Sequence, residues 1–446
     1  MWPGDGCSLF YSSYLSRHQT LSTLNIFPSQ SKIQHAFVHP GKLPAAFCLV
    51  VLLFVGLSHS AQAQYQLHGT VIDKDTQQPL PFASIGVKNT GSGTASNENG
   101  EFVLNLKSLP QTLIVSELAH VRDTVRITSV DKPVQIALGS ATIALPEVKV
   151  GSYAFQLVDR AYRQMQKNYD KKFYGKAFYR QVTRINDEPT ELQEVVWNVK
   201  SNNARIEGTD IAQGRYAAKP SLMNFSNFSL YTKSYGLYDA QADSTKSLAL
   251  LSPNLVKNYY LELVGILEQG EGGIAEIKFE TRPELTKYHA EGTIWLDVDT
   301  YKVVRFKIAT PNFTANASNP AYKFKNTKLE FDMAFQNSEE PASPLDYIKT
   351  NLTFDILQPG KPVAKMNVSS FTFFYETSET PADVSYAKVS TRDRDLEAIK
   401  NTKYDPEFWA NNSVVKRTPL EDEVIESFEQ KGAFGTMVPP KARSSK

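Results

Sequence analysis

Cysteine and histidine are scarce in this 446-residue chain, with two of the first and seven of the second. Both cysteines, Cys7 and Cys48, lie near the N-terminus, so the rest of the chain has no disulfide, no thiol nucleophile and no thiolate metal site. Past residue 63 the only imidazoles are His68, His120 and His289. None starts the H-x-x-E or H-x-x-x-H spacing of a zinc peptidase. His289-Ala290-Glu291 has the H-x-E of a zinc deaminase, but no P-C-x-x-C completes it. Charge of one sign is also missing: 48 Lys and Arg face 47 Asp and Glu, which excludes the basic footprint of a nucleic-acid binder. The G-x-S-x-G, G-x-x-x-x-G-K-[ST] and G-x-G-x-x-G patterns are absent as well. No metal and no cofactor is expected, and no catalytic residue is assigned. A pair of acidic side chains brought together from distant positions is the one hydrolytic arrangement that this inventory leaves open.

What is present suits a globular protein. Hydrophobic residues make up 41% and charged residues 21%, and the length allows two or three domains of roughly 100–200 residues. Leu43 to Leu57 forms a short apolar run after Lys42, followed by Ala61-Gln62-Ala63. A basic flank, an apolar stretch below the ~20 residues of a membrane span and a small-x-small end predict a secretory signal with cleavage before Gln64. The segment ahead of it is long for such a signal, so translation is expected to start nearer Lys42. Cleavage would remove both cysteines. No later segment is apolar and long enough to span a bilayer as a helix. The mature chain is therefore expected to be exported, without a transmembrane helix.

From residue 64 to 150 the pattern is one of short strands. "QLHGTVID" alternates Leu67, Gly69 and Val71 against His68, Thr70 and Ile72. "ASIGVKNT", "EFVLNL", "QTLIVSEL" and "KPVQIAL" follow between turn residues, which predicts an antiparallel sandwich. Within "GTASNENGEF" the oxygens of Asn97 and Asn99 precede Gly100, as in a calcium loop. Placing Gly100 at the sixth position leaves Ala95 first and Leu106 twelfth, so the ligand set fails. Asn-x-Asn-Gly is a tight turn.

The stretch 69–106 resembles the carboxypeptidase-D-regulatory-like domain. It carries G-x-V-x-D (Gly69, Val71, Asp73), a P-L-P-x-A-S-I segment (Pro79, Leu80, Pro81, Ala83, Ser84, Ile85) and G-T-x-S-x-x-x-G-x-F (Gly93, Thr94, Ser96, Gly100, Phe102). The resemblance implies a transthyretin-like, seven-stranded sandwich without catalytic residues. In Gram-negative bacteria such modules often precede TonB-dependent transporters. No long series of barrel strands follows here, so transport is not implied.

A helix is expected next, capped by Ser152, with Phe155, Val158, Tyr162, Met165 and Tyr169 as its apolar stripe. From about 173 to 377 alternation returns, and predicts a continuing antiparallel meander curved over a helix. Asp297-Val298-Asp299-Thr300 reads as a hairpin turn, and "EQGEGG" (268–273) as another. The region around them resembles the lipoprotein-carrier (LolA/LolB-like) half-barrel through Tyr260, Leu261, Gly265, Ile277, Phe279, Gly292, Ile294, Leu296, Asp297, Thr300 and Val304. That resemblance implies an apolar cavity for acyl chains. "NFSNFSLYTKSYGLY" (224–238) places Phe225, Phe228, Tyr231, Tyr235 and Tyr238 among Ser, Asn and Gly. These rings are the ligand-binding candidates the sequence offers, although covering a sheet edge as a satellite core is the favoured reading. Near the C-terminus, Thr418-Pro419-Leu420-Glu421 is a capping box, and Phe408 and Trp409 are expected to anchor the tail on the sheet.

The expected organisation is a signal region (1–63), a sandwich (64–150), a larger antiparallel curved sheet or half-barrel with a leading helix (151–390) and a helical extension with a disordered tail (391–446). The leading functional expectation is a non-catalytic, exported binding or scaffolding protein of the periplasm or outer membrane, with a glycan, a lipid or an envelope protein as partner and no nucleic acid. A periplasmic acyl-chain carrier and a hydrolase using dispersed carboxylates are the alternatives.

Overall fold

The computed structural model describes residues 65–144, 150–225, 227–239, 247–269, 272–285, 289–313, 321–336, 340–390 and 394–411, with positions 392, 414, 422 and 425–426. The expected signal region, the expected capping box at 418–421 and residues 427–446 lie outside the described residues.

Seven strands open the described chain: β1 (Tyr65–Asp73), β2 (Ser84–Val87), β3 (Gly93–Ala95), β4 (Glu101–Leu106), β5 (Gln111–Ser116), β6 (Asp123–Ile127) and β7 (Val134–Leu138). They form two small sheets, ordered β4-β1-β7 and β3-β2-β5-β6. The alternation seen in the sequence is what lets both sheets bury one face. Leu67, Val71, Ile85, Phe102, Leu104, Leu113 and Val115 share that core, each contributing about 1.5–3 kcal/mol when fully buried. One pairing departs from the antiparallel expectation, because β1 runs parallel to β7.

The residues of the regulatory-like pattern touch one another. Gly69 stands opposite Phe102 in the β1–β4 ladder. The Ser96 hydroxyl donates to the Leu80 carbonyl at 2.7 Å and accepts from the Ala83 amide at 2.8 Å. Asn97 Oδ1 accepts from the amides of Asn99 and Glu101, and Gly100 takes φ +73°, which glycine adopts without strain. The turn is confirmed, but it carries the chain from one sheet to the other rather than closing a hairpin. Asp73 ends β1 as a hub. It accepts from the Asp75 and Thr76 amides, from Ser140 and from His120. Those hydrogen bonds, the Thr76 amide foremost, hold its carboxyl well below the usual range.

The second assembly contains β8 (Thr142–Ala144), α1 (Val150–Lys167), β9 (Phe173–Ile185), β10 (Glu188–Ser201), β11 (Ile206–Ala218), α2 (Ser229–Ser234), α3 (Leu255–Asn258), β12 (Tyr259–Gln269), β13 (Gly272–Thr281), β14 (Glu291–Asp297), β15 (Val303–Pro311), β16 (Lys323–Phe335), β17 (Leu345–Leu357), β18 (Ala364–Ser378), β19 (Ala387–Lys388), α4 (Asp395–Lys400) and α5 (Pro406–Asn411). Twelve strands make one antiparallel sheet, ordered β19-β11-β10-β9-β18-β17-β16-β15-β14-β13-β12-β8, and it is not closed into a barrel. It is two meanders joined where β9 pairs with β18, with Phe178 opposite Phe373.

Helix α1 begins at Val150, so Ser152 lies inside its first turn rather than at its cap. Leu157, Val158, Ala161, Tyr162 and Met165 enter the main core. Arg160 donates to the Tyr301 hydroxyl beyond β14 at 2.6 Å, while the Met165 carbonyl accepts from Asn203 between β10 and β11 at 3.2 Å. One helix thus reaches strands far apart in the sheet order, which requires the sheet to curl around it. Tyr179 and Trp197 stack at 4.8 Å, and Phe279 and Phe306 at 5.5 Å, inside this concave core.

The sandwich sits on the opposite face. Leu118 and Ala141 pack with Leu267, Ile274 and Trp295 at one side. At the other side Phe82 lies 5.6 Å from Phe371 and 6.4 Å from Tyr347, and the Thr377 amide donates to the Gly91 carbonyl at 2.9 Å. A Cβ at Gly91 would lie 1.9 Å from the Thr377 carbonyl oxygen. Gly91→Val is therefore expected to unseat this side of the sandwich. Hydrogen exchange should accelerate at the Thr377 amide and leave β13 and β14 unchanged; unaltered protection at Thr377 would refute the contact's role.

The tail docks here too. Trp409 is buried with Ala95, Phe178 and Val196, and Phe408 packs beside it. Among the described residues no helix is long and apolar enough to cross a membrane.

Candidate functional site

Strand β17 carries the residues that define an opening between sandwich and sheet. A register shift between Ala334 and Phe335 in its pairing with β16 interrupts strict alternation. Leu345 and Ile348 enter the concave core, while Asp346, Tyr347 and Lys349 turn toward the sandwich. The cleft at this junction has a volume of about 510 Å³. Phe82, Ser84, Ser116 and Glu117 line it from the sandwich, and Arg305, Gln336, Ser343, Asp346 and Tyr347 from the sheet.

Burial raises the Asp346 carboxyl to about 7, opposed only by a hydrogen bond from Ser84. That bond is long, 3.4 Å from Ser84 Oγ to Asp346 Oδ1. Burial drives the Tyr347 hydroxyl well above its usual value. Lys349 shows the reverse shift. Its ammonium lies over the Phe82 ring, 2.7 Å from the centroid, with Phe371 and Tyr347 at 5.8 and 5.9 Å. Burial lowers it to about 7, with Arg305 and Lys307 adding like charge and Asp332 opposing. Beside it Arg305 donates to both oxygens of Asp332, at 2.8 and 2.6 Å. Burial works against that guanidinium charge, but the hydrogen bonds outweigh it and keep the group protonated. Phe82 itself holds φ +60°, a region that bulky side chains avoid and that persists where surroundings impose it. Arg305, Asp346 and Tyr347 line this cleft, and Lys349 lines the opening beside it; shifted acids and bases gathered at such a junction mark a candidate functional site.

A second opening of about 710 Å³ adjoins the first on the same face. The pairing places Lys278, Lys307 and Lys349 on alternate strands of one cross-strand row, with Thr293 and Asp332 between them. Glu280, Glu291 and Glu330 lie in the next row. This trough is open and mixed in charge, with Leu261, Phe279, Ile308 and Phe331 also lining it.

The ring-rich segment of the sequence lies on the concave side. Phe225, Phe228, Tyr231 and Tyr238 are buried in the main core, and Tyr235 packs against it. Phe225 meets Phe228 edge-on at 5.7 Å, Tyr235 lies 4.2 Å from Phe331, and Tyr238 lies 5.5 Å from Tyr162. The structure brings the five rings together as core, and none of them lines either opening. Glu191 holds the segment by accepting from the Phe225 amide at 2.9 Å. Burial raises that carboxyl to about 7 against its hydrogen bonds from Phe225, Gln193, Thr183 and Tyr216.

The histidines are dispersed. His120 bridges Asp73 at 2.7 Å and Glu117 at 2.6 Å. Exposed His68 meets Gln66, and His289 lies 3.9 Å from Glu280. Among the described residues no group of three or more His, Cys, Asp or Glu side chains is placed to hold a metal ion. Asp297 Oδ1 accepts from the Asp299 and Thr300 amides and the Thr300 hydroxyl, which is the hairpin turn its sequence suggests. Sequence reasoning missed Phe82, Asp346, Tyr347 and Lys349. Phe82 sits at the variable position of the P-L-P-x-A-S-I segment, the one signal that pointed toward it.

No curated protein matches the chain. Among solved structures, a DUF1329 family protein from Desulfovibrio piger is 10% identical, covers 52% of this chain and 95% of its own, and has a TM-score of 0.21. The low-pH structure of Pseudomonas putida OprB is also 10% identical, over 46% of this chain and 94% of its own, with a TM-score of 0.12. Likenesses at this level carry no argument about fold or function and leave the lipoprotein-carrier resemblance without support. Residues 67–150 match the family model of the CarboxypepD_reg-like domain, so the sandwich and the link after it are similar to that family.

Proposed function

We infer that the protein is a non-catalytic binding or scaffolding component of the Gram-negative cell envelope, exported to the periplasm or outer membrane, and that its partner seats in the cleft between sandwich and sheet. One observation carries this reading. Two modules of different architecture line one cleft, and the Asp346 carboxyl in it is buried with a single long hydrogen bond from Ser84. The regulatory-like match of residues 67–150 supports a module that binds rather than reacts. The carrier alternative finds no such support, because the concave face that would hold acyl chains is packed with α1 and with Phe225, Phe228 and Tyr231.

Site-specific photo-crosslinking tests the reading. A benzophenone side chain is introduced at Ser116 or Ser343 in the cleft, and at exposed Lys325 as a control. One envelope component is expected to crosslink from the two cleft positions and not from the control. Equal capture from all three positions, or capture from the control alone, would refute it.

A further inference from the structure

Three acidic side chains line the interdomain cleft: Glu117, Asp297 and Asp346. Two of them are committed elsewhere. Glu117 Oε2 accepts from the Ala119 amide and meets His120 Nδ1, and Asp297 closes its own turn. Asp346 differs. It is 6% exposed, its hydrogen bond from Ser84 spans 3.4 Å, and no cation among the described residues acts on it.

Two of the cleft's three bases are committed elsewhere, and the third points to solvent. Arg305 is paired with Asp332, Lys302 donates to the Glu340 carbonyl at 3.2 Å, and Arg122 stands exposed to solvent. A buried carboxylate needs a partner charge or hydrogen-bond donors, and otherwise takes up a proton. The folded chain supplies one hydroxyl, so the remaining capacity faces the cleft.

Resting on the cleft reading above, we propose that Asp346 is the recognition carboxylate for a primary ammonium group on a small polar ligand, with Ser84 and Ser343 beside it as hydroxyl partners. An ammonium brings three donors to an acceptor-only site. Charge-assisted hydrogen bonds are stronger than neutral ones. A cleft of about 510 Å³ has room for a single sugar ring or amino-acid side chain rather than a polymer. A carboxylate that ionises on meeting the ligand gives up its proton, so binding is accompanied by proton release.

Pairs related by acetylation of the amine, which removes its charge and adds an acetyl group, test the proposal by titration calorimetry on the full mature chain. D-glucosamine is compared with N-acetyl-D-glucosamine, and Nα-acetyl-lysine methylamide with its Nε-acetylated form; the first pair represents an amino sugar, the second a basic side chain. The charged member of one pair is expected to bind about tenfold or more tightly than its acetylated partner. Asp346→Asn should erase that preference, and hydrogen-exchange protection should appear over 116–118 and 343–347. Equal affinity within both pairs, with protection at those segments, overturns the ammonium preference and leaves the cleft reading standing. Failure of all four compounds to protect those segments overturns the proposal and counts against the cleft as a small-ligand site. A charge preference that survives in Asp346→Asn also overturns it.

Discussion

Replacing Glu194 by alanine is expected to cost about 3–5 kcal/mol of folding stability, the usual consequence of stripping one partner from a buried ion pair. The β9–β10–β11 pairing sets Arg180, Glu194 and Arg215 directly opposite one another. The carboxylate is divided between the two guanidinium groups: Oε1 accepts from Arg180 Nε at 2.7 Å and Oε2 from Arg215 Nε at 2.5 Å. All three side chains are almost fully buried. Arg215 also lies under the Trp409 ring, 4.7 Å from its centroid, so the row joins the sheet to the docked tail. Two cations that keep their positions while losing a shared anion repel each other in a medium that screens poorly. Glu194→Gln keeps an acceptor and is expected to lose less. Replacing all three by Met, which removes every charge together, should recover most of the loss. Urea midpoints for the three variants decide the matter. A Glu194→Ala chain within 1 kcal/mol of the parent would show that the row contributes little.

The sequence made this kind of row hard to see. Glu194 sits within "TELQEVVWNVKS", where alternation correctly predicts a strand, yet neither face of β10 is simply polar or apolar. One side carries Glu191, Gln193, Val195 and Trp197, the other Leu192, Glu194 and Val196, and all seven are buried. Strands covered on both sides lose the correlation between polarity and exposure on which periodicity depends. The ring-rich segment is ambiguous in sequence for the same reason. Its polar residues Asn227, Ser229, Thr232 and Lys233 are buried because the sheet and tail offer polar partners: Asp395 accepts from the Ser229 amide and hydroxyl, and Thr232 meets Thr350 and Ser370. Local turns were legible, since Asn97–Gly100 and Asp297–Thr300 are fixed by their own side chains. The β9–β18 junction was not, because its partners are far apart in sequence and either edge strand of the first meander offers the same pattern. Asp346 had no signal at all: it comes to the cleft through a register shift and the placing of a separate module.

Asp346→Asn and Lys349→Met are expected to stabilise the protein with opposite dependences on pH. Burial raises Asp346 from 3.8 to about 7, so the folded state binds its proton more tightly than the unfolded chain does. The resulting penalty is absent below about pH 4, grows between 4 and 7, and is full above 7, where it approaches roughly 4 kcal/mol as an upper bound. Lys349 moves the other way, from 10.5 to about 7. Its penalty is full below pH 7, shrinks between 7 and 10.5, and vanishes above that. The Met variant recovers somewhat less, since it also gives up the cation–π contact with Phe82, of roughly 0.5–2 kcal/mol. Neither group acts on the other, so the two gains should add. The gain of Asp346→Asn in thermal midpoint should therefore rise from pH 4.5 to 8, that of Lys349→Met should fall from pH 6 to 9.5, and the double variant should gain most near neutrality. Differences that stay flat across this range would mean that water reaches both groups and that the sandwich does not desolvate them. If the slopes appear, the junction of sandwich and sheet is where this chain gives up stability, and groups retained at such a cost are candidates for function. An Asp346→Asn protein that is both more stable at pH 8 and indifferent to ammonium probes would join the two results in one residue.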